Sequence, residues 1–296
     1  MKKIKTETDR VLEQLVAERR EEVMRLQSAQ SDQLRDVESN GQDRLAELAD
    51  SLPQDIADVL KNQEKSHEEL STKARERDAA FGAKMAASSS AERSTTLHPG
   101  SGTGSLGAIN AAALGWYTPY YGTLHGSDGS IYWQGYNPGS IDASVVANGG
   151  GSGLFGTGAG SFTVYMDWWF TYRPTENRNY SHTVSVPFNG FYIVRADDGF
   201  WDSKEAHARI DLSAVGYQYN YKATGSANVF DLSNDNINVN DRFDGWRTLY
   251  YSDLLGADQA YLRVTTSLYV YARGGGSTAT LNFSDGAANY LGVPWV

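Results

Sequence analysis

Apolar residues recur every eleven positions through the first third of the chain. Ile4, Leu15, Leu26, Val37, Leu48, Val59, Leu70 and Phe81 make one unbroken track. Met1, Leu12, Val23, Leu34, Leu45 and Ile56 make a second, which fails at His67 and Asp78. A third track is mixed: Thr8, Arg19, Gln30, Gly41, Leu52, Gln63, Ala74 and Met85. Steps of three, four and four hold one stripe on one side of a helix. Eleven residues in three turns is about 3.67 per turn, which favours a straight or mildly right-handed supercoil. About 80 such residues at 1.5 Å each predict a rod of roughly 120 Å.

Two places interrupt this pattern. Asn40-Gly41 is a turn-like dipeptide, and Pro53 removes a helix hydrogen bond at about 3 kcal/mol. The eleven-residue phase runs through both without a slip. That favours a rod, kinked or straight, over a hairpin turning at Gly41.

The stripe is narrow, so a lone helix carrying it gains little in water until something covers it. The expected cover is a second and third copy of the same helix. The oligomerisation stripe is Ile4, Leu12, Leu15, Val23, Leu26, Leu34, Val37, Leu45, Leu48, Ile56, Val59, Leu70 and Phe81. A small parallel bundle fits these aliphatics, with a trimer as first choice. A lipid-coating helix is the competing reading. It wants a wide apolar face and a basic flank, whereas residues 1–95 carry 16 basic and 20 acidic groups.

Beyond the arm the pattern changes period. From Phe162 to Phe170, Phe162, Val164, Met166, Trp168 and Phe170 share one face, and Thr163, Tyr165, Asp167 and Trp169 the other. From Tyr261 to Tyr271, Leu262, Val264, Thr266, Leu268 and Val270 oppose Tyr261, Arg263, Thr265, Ser267, Tyr269 and Tyr271. Further strands are predicted at 130–136, 141–147, 180–186, 190–196, 207–221, 227–232, 246–251 and 278–283. Asn137-Pro138-Gly139, Asn148-Gly149-Gly150, Asn189-Gly190, Asp198-Gly199, Asp244-Gly245 and Gly274-Gly275-Gly276 read as turns between them. The fold class predicted is α plus all-β: a long helical coiled-coil stalk over 1–88, a Gly/Ser-rich linker over 89–107, and an antiparallel β-sandwich or jelly-roll-like head over 108–296. A short helical turn is expected at 108–114.

Composition sharpens the division. All 7 Trp, all 18 Tyr and every Phe but Phe81 lie beyond residue 96, so the arm has no material for a globular core. The second faces of the strands carry Tyr and Thr rather than Lys and Glu. Such surfaces contact something, and Trp169, Tyr261, Tyr269 and Tyr271 are candidates for ligand or intersubunit contact, with core packing as the plain alternative.

The 296-residue chain has a net charge of −10 and no cysteine. A general nucleic-acid binder needs a basic footprint, and a thiol nucleophile or Cys-based zinc site needs cysteine. No apolar run approaches a membrane span of roughly 18 residues, and the start, MKKIKTETDR, lacks the apolar core of a secretory leader. Synthesis in a cytoplasm is therefore expected, with incorporation into a virion as one destination.

Little catalytic chemistry is legible. Two GxGxxG matches, at 102–107 and 151–156, lack the strand-then-helix setting that a dinucleotide loop requires. The five histidines are scattered, and no two share helical metal-pair spacing. Asx-rich loops around Gly199 and over 231–244 suit Ca²⁺, but neither has the DxDxDG spacing, so no cofactor or metal is assigned. No catalytic residue is assigned either. The layout of helical arm, Gly/Ser joint and aromatic β head resembles that of fibre-like proteins in general. It implies a non-enzymatic, homo-oligomeric structural or attachment fibre whose head binds a receptor, a glycan or a neighbouring subunit. A self-assembling cytoplasmic scaffold and a carbohydrate-active enzyme are the alternatives.

Overall fold

The computed structural model describes residues 6–63, scattered positions from 65 to 80, and then 119–136, 145–151, 158–197, 204–283, 290–291 and 296. Ile4, Leu70, Phe81, the linker and the expected helical turn at 108–114 lie outside the described residues.

The arm begins as a single helix, α1, Glu7–Ser51. Thr6 starts it. Its hydroxyl accepts from the Asp9 N–H at 3.2 Å, while the Asp9 carboxylate accepts the Thr6 N–H at 2.9 Å. This reciprocal cap satisfies two donors that a helix start leaves open. Asn40-Gly41 does not turn the chain; α1 runs straight through it. Pro53 does interrupt. Leu52 is extended (φ −105°, ψ 153°), as the residue before a proline prefers, and helix resumes over 54–63.

The head is two antiparallel sheets. Its strands are β1 (Tyr121–Gly126), β2 (Ile131–Tyr136), β3 (Val145–Gly150), β4 (Ala159–Tyr172), β5 (Arg178–Ala196), β6 (Glu205–Gln218), β7 (Tyr221–Asn234), β8 (Ile237–Leu255), β9 (Ala260–Arg273), β10 (Thr278–Phe283) and β11 (Tyr290–Leu291). Sheet A has the order β2-β1-β4-β9-β6-β7. Sheet B has β11-β5-β10-β3, with β8 paired to β5. Helix plus β-sandwich is thus the architecture.

Alternation sets which side chains meet between the sheets. Val164, Met166, Trp168 and Phe170 of β4 and Leu262, Val264, Leu268 and Val270 of β9 point inward, as their period predicts. They pack on Val184, Val186, Phe188 and Val194 of β5 and on Phe243, Leu249 and Tyr251 of β8.

Several strands differ from the expectation. Residues 180–186 and 190–196 are one 19-residue strand, and β8 matches it residue for residue from Arg178↔Leu255 to Ala196↔Ile237. Neither Asn189-Gly190 nor Asp244-Gly245 is a turn. The stretch 207–221 is instead a hairpin, reversing at Tyr219-Asn220 with Tyr219 at φ +52°. The Tyr219 hydroxyl donates to Asp258 at 3.0 Å, which holds that left-handed residue in place. The first strand, β1, was not anticipated.

Candidate functional site

The second faces of β4 and β9 do contact something: the chain's own helix. Its covered side runs through Leu12, Arg19, Val23 and Gly41, all buried, and through Gln30 between them. Contacts advance along α1 as they retreat along β4. Tyr120 donates to Asp9 at 2.5 Å, Arg19 reaches Asp167, Gln30 reaches Ser161 and Thr163, and Glu38 faces the Ala159 N–H. The helix therefore lies antiparallel to β4.

An apolar seam closes one end of this contact. Leu12 packs with Tyr121, Trp169, Val215, Tyr217 and Tyr261, flanked by Val11, Leu15, Val16 and Tyr120. Trp169 stacks on Tyr217 with centroids 5.9 Å apart. Trp169 and Tyr261, candidates for ligand or intersubunit contact, are thus covered within the chain. Tyr269 and Tyr271, farther along β9, are half-buried.

A charged clasp follows. Asp167, fully buried on β4, accepts from Arg19 Nε at 3.1 Å and His125 Nε2 at 2.9 Å through Oδ2, and from the Thr265 hydroxyl through Oδ1. Arg19 also pairs with Glu22 at 3.0 Å, and Glu22 with Arg263 at 3.2 Å. The Arg19 guanidinium lies 5.1 Å from the centre of the Tyr165 ring. Burial alone would push the Asp167 carboxyl up. The charge of Arg19, the His125 hydrogen bond and the charge of Arg263 outweigh it and hold the group far below the ordinary carboxylate range. Glu22 is lowered in the same way: burial opposes, and Arg19 and Arg263 prevail.

The rest of the stripe is less covered, and its two tracks are mixed in exposure. Leu34, Val37, Leu45 and Leu48 are half-buried. Leu26, Ile56 and Val59 are exposed, at 47%, 44% and 53%. The centre of the covered face is the mixed third track, whose Arg19 and Gln30 meet polar groups of the sheet. Sequence reasoning singled out neither Arg19 nor Asp167. The available signal was one carboxylate among aromatics on β4, in a chain whose helix carries an arginine in stripe phase.

The outward face of sheet B is different. Trp246, Tyr250 and Leu254 alternate outward along β8, exposed at 43%, 78% and 64%. Successive members stand about 13 Å apart at the usual rise per strand residue. Opposite and between them lie Asn179, Ser181, Thr183, Ser185, Thr248 and Ser252, in register on β5 and β8. Ser181 and Ser252 hydroxyls are 3.3 Å apart, and Ser185 and Thr248 3.2 Å. The strip carries aromatic, aliphatic and hydroxyl groups and no charge.

Three histidines of the head each sit beside an aspartate: His125–Asp167, His182–Asp253 at 3.1 Å and His207–Asp231 at 2.7 Å. The His182 pair continues to the Tyr251 hydroxyl, which donates to Asp253 at 2.6 Å. Among the described residues no three metal-ligating side chains converge, and no helix is long and apolar enough to cross a membrane.

Fold and surfaces together define a two-sheet β-sandwich clasped by its own helix on one face and bearing an aromatic, hydroxyl-lined strip on the other. No known family matches the chain, and no curated protein does. Solved structures that resemble it slightly include TmCBM61 in complex with β-1,4-galactotriose, at 9% identity over 54% of this chain and 88% of that one, TM-score 0.20. A CBM4 structure aligns at 10% identity over 48% of this chain and 80% of that one, TM-score 0.15. The enzymatically active domain of Bacteriophage CBA120 tailspike protein 4 aligns at 11% over 54% and 19%, TM-score 0.16. Likenesses this slight carry no information on ligand or activity.

Proposed function

We propose that this chain is a non-enzymatic, homo-oligomeric attachment component whose β-sandwich head binds a neutral glycan along the outward face of sheet B. The observation that carries the reading is the strip of Trp246, Tyr250 and Leu254 with its flanking hydroxyls. A pyranose ring has an apolar C–H face and an equatorial rim of hydroxyls. Aromatic faces cover the first, and Ser, Thr and Asn side chains exchange hydrogen bonds with the second. The absence of charge on the strip suits a neutral sugar, and its length suits a run of several residues rather than a chain end.

Single-site contacts of this kind are weak, and joining several heads raises their combined strength. The exposed Leu26, Ile56 and Val59 offer an apolar flank along which copies of the arm meet, a trimer being the simplest closed arrangement. A cysteine-free chain is suited to assembly in a reducing cytoplasm, as for a component of a virion or phage particle.

The test is a glycan array probed with the full-length protein and with Trp246→Ala and Tyr250→Ala. Binding of neutral oligosaccharides by the parent, lost in both variants at unchanged thermal midpoint, supports the reading. An empty array, or binding indifferent to both changes, rules the strip out. A second reading, a self-assembling scaffold, is favoured by one observation: among the described residues β8 pairs only with β5, and Leu254 is exposed beside that open edge. Under it the same substitutions alter particle size in light scattering and leave the array unchanged.

A further inference from the structure

Two partners compete for the same side of the arm. Against the head, Leu12 is buried with Trp169 and Tyr217, and Val11, Leu15 and Val16 flank that seam. Leu12 and Leu15 also belong to the stripe that a bundle of sister arms would use. They cannot face the head and a second helix at once, so some feature of the arm must favour one partner.

Arg19 is placed to do so. It lies four residues from Leu15 on one apolar track and four from Val23 on the other, at the centre of the stripe. Against the head it is fully engaged. Its Nε donates to Asp167 Oδ2 at 3.1 Å, Nη1 pairs with Glu22 at 3.0 Å, and the guanidinium lies 5.1 Å from the centre of the Tyr165 ring. Gln30, one repeat further on, meets Ser161 and Thr163. In a bundle of parallel arms these sheet partners are gone. Copies of Arg19 converge on one layer, and only Glu22 travels with each of them, half-exposed on the helix flank. Like charges withdrawn from water without their partners make that layer unfavourable. Farther along the same track stand Gly41, Leu52 and Gln63, none of them charged.

We propose that Arg19 is a partner-specifying residue: it fits the amino-terminal part of the arm to Asp167 of the head and bars that part from a bundle of sister arms. Copies are left to meet along the exposed Leu26, Ile56 and Val59. One polar residue in an apolar helix seam suffices to fix which helices pair, and a contact disfavoured with the wrong partner does as much as one favoured with the right partner. The claim that copies meet at all rests on the oligomeric reading above; the fit of Arg19 to the head does not.

The experiment compares the full-length parent with Arg19→Leu and Arg19→Lys, by light scattering over a concentration series and by hydrogen exchange. Arg, Leu and Lys favour helix about equally, so helix propensity is held constant. Arg19→Leu strands Asp167 and completes the apolar stripe. At a dilution where this variant is monomeric, its α1 amides are expected to exchange faster than the parent's, with the β-strand amides still protected. On concentration it is expected to associate at a protein concentration about tenfold or more below the parent's. Arg19→Lys keeps a charge at the stripe centre without the guanidinium fork, and is expected to associate no more readily than the parent. Adding Leu15→Glu to Arg19→Leu is expected to reverse the gain, which separates a stripe bundle from clumping through uncovered Trp169 and Tyr217. An equal gain in Arg19→Lys, no gain in Arg19→Leu, a gain that survives Leu15→Glu, or unchanged α1 exchange in Arg19→Leu each overturns the proposal. Failure of the oligomeric reading shows separately, as a parent with the mass of one chain at every concentration; association of Arg19→Leu from such a parent still supports the role of Arg19.

Discussion

Arg19 and Asp167 are 148 positions apart in sequence, yet Arg19 Nε donates to Asp167 Oδ2 at 3.1 Å with both side chains withdrawn from water. This contact ties the amino-terminal helix to the head. A buried pair of this kind is costly to break from one side, because the remaining charge is stranded. Arg19→Ala is therefore expected to cost about 3–5 kcal/mol of stability, read as a lowered urea midpoint. Hydrogen exchange of the α1 amides is expected to quicken more than that of β4. Unchanged protection across α1 would show that the clasp does not hold the helix.

Acid should loosen the same contact. The Asp167 carboxyl is held far below its ordinary value, so the unfolded chain binds a proton there before the folded chain does. A depressed carboxylate contributes stability that is complete above the unfolded value of about 3.9 and is lost as pH falls below it. Glu22 is shifted in the same direction and adds to the slope. Urea midpoints measured at about pH 7 and about pH 3 are expected to fall on acidification, and the fall to be shallower in Asp167→Asn. An equal slope in the variant would remove Asp167 as its source.

Gly190 marks a second constraint, in the middle of β5 rather than at a turn. A Cβ there would stand 2.5 Å from the Asn282 carbonyl oxygen and press on the Phe283 ring. Its N–H donates to Asp244 Oδ1 at 3.1 Å, bracing the two long strands where they cross the core. Gly190→Ala is expected to destabilise the head by about 1–3 kcal/mol through overpacking. A thermal midpoint within a degree or so of the parent would mean that Phe283 yields freely.

Asn189-Gly190 also shows why parts of the fold were not legible from sequence. A dipeptide that usually reverses a hairpin sits inside a 19-residue strand because Phe283 needs a residue without a side chain beneath it. Local turn chemistry cannot register a ring that arrives from ninety residues away. The inward faces of β4 and β9 were legible, since strict alternation of large apolar groups admits one solution. Their outward faces were legible only as surfaces that must be covered. The eleven-residue stripe said the same of the helix. Each surface lacked a partner on the page of sequence, and copies of the helix were the simplest assumption; the structure joins one side of the helix to the sheet, a partner that sequence pattern could not point to. Arg19 and Gln30 escaped notice because polar residues in stripe phase read as gaps in an apolar track, when they are matched to Asp167, Ser161 and Thr163. The strip on β8 escaped because the predicted strand 246–251 stops short of Leu254, inside a strand that runs Ile237–Leu255. Alternation places Trp246, Tyr250 and Leu254 on one face, and only the pairing with β5 shows which hydroxyl side chains share it.

The division of the stripe yields a test of which contacts lie within the chain and which lie between copies. Leu12 is 1% exposed, packed on Trp169 and Tyr217 of the head, and Val23 is 3% exposed, whereas Leu26 and Val59 are exposed at 47% and 53%. Leu12→Ala removes buried carbons and is expected to cost about 2–5 kcal/mol in any oligomeric state. Leu26→Glu and Val59→Glu alter no packed core and are expected to leave the folding of one chain intact. If copies associate along that flank, the two glutamates place buried charge in the contact and lower the mass seen by light scattering, with circular dichroism unchanged. The two effects are independent, so the Leu12→Ala cost should be equal in the parent and in the Leu26→Glu/Val59→Glu background. A parent that is already monomeric at high concentration would confine the stripe to its role under the head and remove the oligomer from the proposed function, while leaving the proposed glycan strip on β8 to its own test.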